Sequence, residues 1–201
     1  MTIDKNDLLN SILASISRID YVKSTDIPNI DLYMDQVTSF MEKQLKATKR
    51  NEEDKVLTKT MINNYAKSDL LPAPNKKKYS KNHLLLLFLI YYFKNILSMK
   101  DIETLLNPIT ERYFQEDSGV SISRIYDEVC AHEKERTQLL QQDIASLFEN
   151  SKETFTDLEG EDQQLLQTFS FICSLSFDVY VKKLLIEKLI DELPEKAEKK
   201  K

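Results

Sequence analysis

Glycine occurs only twice in 201 residues, at Gly119 and Gly160, which excludes a glycine-rich phosphate cradle and favours long helices. Cysteine is as scarce. Cys130 and Cys173 lack Cys-x-x-Cys spacing, so neither a zinc knuckle nor a disulfide framework is expected, and a reducing cytoplasm fits. Histidine is limited to His83 and His132. His132-Glu133 is followed by Lys134, Glu135 and Arg136, so the His-Glu-x-x-His pattern of zinc proteases fails. No residue pattern marks an activated nucleophile, and acids such as Glu159, Glu161 and Asp162 suit a helix start better than acid–base chemistry. The expectation is a protein without enzymatic activity, metal or cofactor. Long apolar runs are missing too. The longest, Leu84 to Phe93, is ten residues and too short to span a bilayer. Met1 to Asn10 carries acids and no apolar segment of a signal peptide, so a soluble cytoplasmic chain with no membrane partner is expected.

What is present is ordinary in amount and uneven in placement. Apolar residues are 41% and charged residues 30%, enough for a folded core. The formal charge of −5 hides a polarised chain: residues 1–39 carry net −3, residues 40–100 net +8, and residues 101–201 net −10. A basic middle between acidic ends suits a polyanionic partner.

Apolar spacing predicts a first helix over Asp4–Ile19, a break at Pro28, and a second helix from Asp31 to about Ala47. Lys46–Lys55 reads as a loop, and Thr58 caps a third helix to about Lys67. Pro72 and Pro74 forbid helix next. An extended arm, a basic turn at Asn75–Lys78 and a second arm predict a small β-wing. Ser80 starts an apolar helix, Lys81–Ile96. Ser98 with Asp101 starts a short one, Met99 to about Leu106, that Pro108 ends. Two further helices are expected, Ser121–Asn150 with an exposed charged middle at His132–Thr137, and Glu161–Leu193. The latter is apolar around so much of its circumference that it must bury two faces, one against its own chain and the other against a second subunit or, alternatively, inside a monomeric bundle with helix 121–150 and the N-terminal helix.

The fold class expected is mostly α: a winged helix-turn-helix over 57–106 with a small β-wing, then a C-terminal helical bundle or dimerisation region. The domains are drawn as 1–107 for DNA binding, 108–193 for dimerisation or effector response, and 194–201 as a disordered tail. On the helix 58–67, Met61, Ile62 and Tyr65 share one face and Lys59, Thr60, Asn63, Asn64 and Lys67 the other. Asn pairs with adenine, Lys reaches guanine or phosphate, and Thr serves either. Thr58 opens that helix. Lys76, Lys77, Lys78, Tyr79 and Lys81 are placed at the wing, beside the phosphates. The partners expected are double-stranded DNA, a second copy of the chain, and an effector of unknown identity. The alternative is a non-enzymatic module that docks protein on the same winged helix.

The order of these features resembles the DNA-binding half of the MerR transcription regulators: a capped helix ending in an aromatic, a Leu-Leu-Pro step at Leu70-Leu71-Pro72, a basic wing ending in Tyr79-Ser80, a Leu/Ile-rich helix, and a Leu97-Ser98 cap. Leu57 to Tyr65, with Met34-Asp35-Gln36-Val37 upstream, resembles more closely a family of uncharacterised bacterial proteins, MerR-like in kind, over roughly residues 5–107. The resemblance implies transcription regulation. It places Asn63 where those regulators carry a DNA-contacting arginine, and Asp69 where they carry glycine.

Overall fold

Residues 5–16, 21–115 and 119–193 are described in the computed structural model. They are mostly helical, with one small antiparallel sheet. No described helix is long and apolar enough to cross a membrane. The expected tail at 194–201 lies outside the described residues.

The chain divides into two compact units: Tyr21–Ala131 with Ile186–Lys201, and Met1–Asp20 with His132–Leu185. In the unit built on 21–131, β1 (Leu32–Tyr33) leads into α2 (Met34–Gln44). The strand departs from the sequence expectation. Leu32 turns inward and Tyr33 outward, and the Tyr33 N–H donates to Gln36 Oε1 at 2.9 Å, so the helix starts at Met34 and not at Asp31. Then come α3 (Lys59–Lys67), β2 (Lys78–Tyr79), α4 (Lys81–Phe93), α5 (Met99–Tyr113) and α6 (Ile122–Cys130).

The centre is α4, whose residues from His83 to Tyr91 are all buried. A helix apolar around its whole circumference must be enclosed on every side. Val37 and Met41 of α2, Ile62 and Tyr65 of α3, Ile102 and Leu106 of α5, and Ile122 and Tyr126 of α6 share its core. Ile186 and Ile190 join the same core.

Two helix boundaries are corrected. Pro108 does not end α5, which runs on to Tyr113. Proline removes the N–H that would bond the Thr104 carbonyl, but Leu106 and Thr110 on either side of it stay buried. The packing of that face outweighs the missing bond. The boundary drawn at 107/108 therefore falls inside a helix. The single helix expected over Ser121–Asn150 is two, α6 and α7 (Glu133–Lys152), parted at the exposed Ala131-His132. The break lies in the charged stretch where the chain leaves one unit for the other.

The second unit consists of α1 (Lys5–Ile16), α7 and most of α8 (Gly160–Asp191). Gln141 Nε2 of α7 donates to the Leu13 carbonyl of α1 at 3.2 Å. Gln167 Nε2 of α8 reaches the Lys152 and Thr154 carbonyls at 2.7 and 3.0 Å, and Phe171 meets Phe148 edge-on. Among this unit's described residues only Phe148, Ser151, Gln167 and Phe171 are buried.

Because α6 completes the wall around α4, truncating Ile122 destabilises the whole 21–131 unit. Ile122→Ala is expected to cost about 2–5 kcal/mol in chemical denaturation. A change within experimental error would mean that α6 does not belong to that core.

Candidate functional site

The exposed polar face of α3 comes from its spacing. Ile62 and Tyr65 are buried, which turns Lys59, Thr60, Asn63, Asn64 and Lys67 to solvent as one surface. Thr58 acts as the cap, its hydroxyl accepting from the Met61 N–H at 3.2 Å, so its oxygen is already engaged. The helix ends at Ser68, and Asp69 follows with φ +57°, the left-handed conformation that glycine adopts most easily.

The link between α2 and α3, residues 45–58, contains the loop expected at Lys46–Lys55, and it is braced. A 3-10 turn at Lys46–Thr48 leads into it, and Thr48 Oγ1 meets the Tyr91 hydroxyl. Glu42 pairs with Lys49 and accepts from the Val56 N–H at 3.4 Å. Lys49 beside Glu42 holds that carboxyl below its ordinary pKa. Lys94 Nζ donates to the Val56 carbonyl at 2.8 Å. Val56 and Leu57 are buried, so α3 is delivered to the core at a fixed angle despite the long connection.

The wing differs from the hairpin expected. Lys76 and Lys77 form its tip with φ of +48° and +65°, and Lys78 N–H donates to the Asn75 carbonyl at 2.9 Å. Two consecutive left-handed residues are the signature of a type I′ turn, which ordinarily selects Asn-Gly. The first arm contributes only the Asn75–Lys78 bridge. Pro72 and Pro74 have no N–H to give a ladder. The second arm, β2, pairs instead with β1, in the register Leu32 with Tyr79 and Tyr33 with Lys78.

β1 therefore ties the wing to the helices. Lys78 Nζ lies 5.3 Å from the Tyr33 ring centroid, and two residues on, Asp35 of α2 pairs with Lys59 of α3. Nothing in the sequence marks Tyr33 or Asp35 for these roles; a two-residue strand is too short to show a period. The ion pair is exposed and contributes little to stability, but it offsets a lysine at the unfavourable end of a helix dipole.

Of the residues proposed from sequence, Lys59, Thr60, Asn63, Asn64, Lys67, Lys76 and Lys77 are exposed, and Thr58, Lys78 and Lys81 are half-buried. Tyr79 is corrected. It is 3% exposed and packs edge-on against His83, because β2 alternates and places it on the core side. His83 takes the third position of α4 and its Nδ1 accepts from the Ser80 N–H at 3.0 Å, filling the place of the Glu or Gln of a capping box. Among the described residues no group of three or more His, Cys, Asp or Glu is placed to hold a metal ion.

Residues 22–129 match the family described as Domain of unknown function (DUF1836), more than half of the chain. The chain belongs to that family. The matched segment nearly coincides with the compact unit 21–131, so the DUF1836 domain includes α6. No curated protein and no solved structure matches the chain.

Two outcomes follow for the DUF1836 domain. Replacing the wing tip by Lys76→Asn with Lys77→Gly relieves two left-handed lysines and is expected to raise stability by about 1–2 kcal/mol in thermal or chemical unfolding. A loss would place the tip lysines in a structural role. Burial holds the His83 imidazole below its ordinary pKa. The unfolded chain takes up that proton first, so the contribution is whole above about pH 6.5 and is lost as pH falls below it. His83→Gln keeps an acceptor that does not titrate. It is expected to flatten the fall in melting temperature between about pH 6.5 and 5.5; an unchanged pH profile would clear His83.

Proposed function

We propose that the DUF1836 domain of this chain binds double-stranded DNA as a winged helix and that the protein regulates transcription, without enzymatic activity, as a homodimer in the cytoplasm. One observation carries the reading. The polar face of α3 is exposed in full while its apolar face is locked into the core, and a lysine-tipped turn stands on a strand that pairs with the entry to α2. A rigid helix backed by such a turn fits a major groove with a flanking phosphate contact. Asn63, Asn64 and Thr60 would read base edges; Lys59, Lys67, Lys76, Lys77, Lys78 and Lys81 would meet phosphates. The resemblance to the MerR regulators in residues 57–106 supports the same assignment. The strained lysines add to it, since backbone strain persists where it serves a function. An effector would act through the second unit.

The salt dependence of duplex binding tests this. The parent protein is expected to bind DNA with an affinity that falls steeply with salt. Lys76, Lys77 and Lys78 changed together to Ala should weaken binding to all sequences and lower the slope by up to about 0.9 for each phosphate that is no longer neutralised. Absence of any salt-dependent duplex binding by the parent would overturn the reading and favour docking of protein on the same surface.

A further inference from the structure

In the second unit α8 presents an apolar stripe to solvent. Leu165, Phe169, Ile172, Phe177, Val179 and Tyr180 all lie on the outward side, with Leu165 68% and Phe177 66% exposed. No charged residue interrupts Gln163 to Phe177. The inward side is mixed: Leu166, Phe171 and Leu175 lie there with Gln163, Gln167, Ser170 and Ser174. The usual order, apolar inside and polar outside, is not kept: the outward side is the more apolar of the two. Soluble monomers rarely expose a contiguous apolar patch of this extent. Among its described residues the unit buries only Phe148, Ser151, Gln167 and Phe171, little for a domain.

We infer that this stripe is the interface with a second copy of the chain, and that the two α8 helices pack antiparallel about a two-fold axis at Ile172. Charge decides the partner and the direction. Acids, Asp157, Glu159, Glu161 and Asp162, stand at one end of the uncharged stretch; at the other, Asp178 pairs with Lys182 at 3.2 Å and Lys183 follows, so that end is net positive by one charge. Antiparallel pairing sets each acidic end against the net positive end of the other copy and opposes the two helix dipoles. Parallel pairing sets like against like. With Ile172 on the axis, Leu165 meets Val179 of the second copy, and Glu161 comes level with its Lys183. The extent suits a dimer. Six large side chains, each exposing on the order of 100 Å², give about 600 Å² per protomer, near the ~800 Å² per partner of a stable complex. A two-fold axis makes the one stripe self-complementary.

The arrangement rests on the homodimer proposed above and not on DNA binding. The full chain is measured by light scattering at micromolar concentration, alone and as Ile172→Asp, with Val129→Asp on the exposed side of α6 as control. A dimer is expected for the parent and the control, and a mass near 23.5 kDa for Ile172→Asp with its helix content unchanged. In a Cys173→Ser background, Leu165→Cys and Val179→Cys chains are then treated with a short bismaleimide, separately and mixed. A crosslinked dimer is expected in the mixture and in neither chain alone. A parent that stays near 23.5 kDa overturns the homodimer itself and leaves the DNA reading standing. A dimer that survives Ile172→Asp, or a crosslink in the Leu165→Cys chain alone, overturns the antiparallel α8 interface.

Discussion

Seven consecutive apolar residues on one helix, Leu84 to Ile90, set the terms for the DUF1836 domain. No stripe of α4 can face water, so the domain has to close around it. That requirement brings α2, α3, α5 and α6 onto one core and holds β2 against the start of α4. It also explains two departures from local rules. Pro108 sits inside α5 because Leu106 and Thr110, on the two sides of it, are both needed on that wall. The long connection before α3, residues 45–58, is pinned by Glu42, Lys49 and Lys94 so that Val56 and Leu57 stay covered. The proposed recognition helix inherits its rigidity from this enclosure. Its outward side is defined by what Ile62 and Tyr65 bury.

The same physics in α8 gives the opposite result. α4 is apolar and enclosed; α8 buries Phe171 but leaves Leu165, Phe169, Ile172, Phe177, Val179 and Tyr180 exposed. One chain thus holds a satisfied apolar helix and an unsatisfied one, in different units. Under the proposed homodimer, pairing through α8 would bring two DUF1836 domains to one duplex, and two such domains related by a two-fold axis would favour a palindrome. The basic segment 40–100 and the acidic segment 101–201 carry opposite net charge, which on the proposed reading would direct the first toward a polyanion.

Much of this is legible in the sequence. Helical spacing locates α2, α3, α4 and α8 to within a few residues, Thr58 and Ser98 act as the caps expected of them, and the split of α3 into Ile62–Tyr65 and Asn63–Asn64 faces is as the spacing implies. What escapes is non-local. A two-residue strand carries no period, so nothing in Leu32-Tyr33 announces that it pairs with Lys78-Tyr79, and without that pairing Tyr79 reads as a surface residue. The extent of the domain escapes for the same reason. Proline at 108 is a strong local signal, and it is outweighed by packing against α6, which the chain reaches only later.

Sequence selection from a random duplex pool, using the full chain, bears most directly on whether α3 reads DNA. An enriched motif is expected, with two related half-sites. Its preference should relax at particular base pairs in Asn63→Ala and in Asn64→Ala, by roughly 1–3 kcal/mol at each base read. A pool that emerges unenriched, or a motif that both variants select unchanged, would contradict the assignment of α3 as a recognition helix.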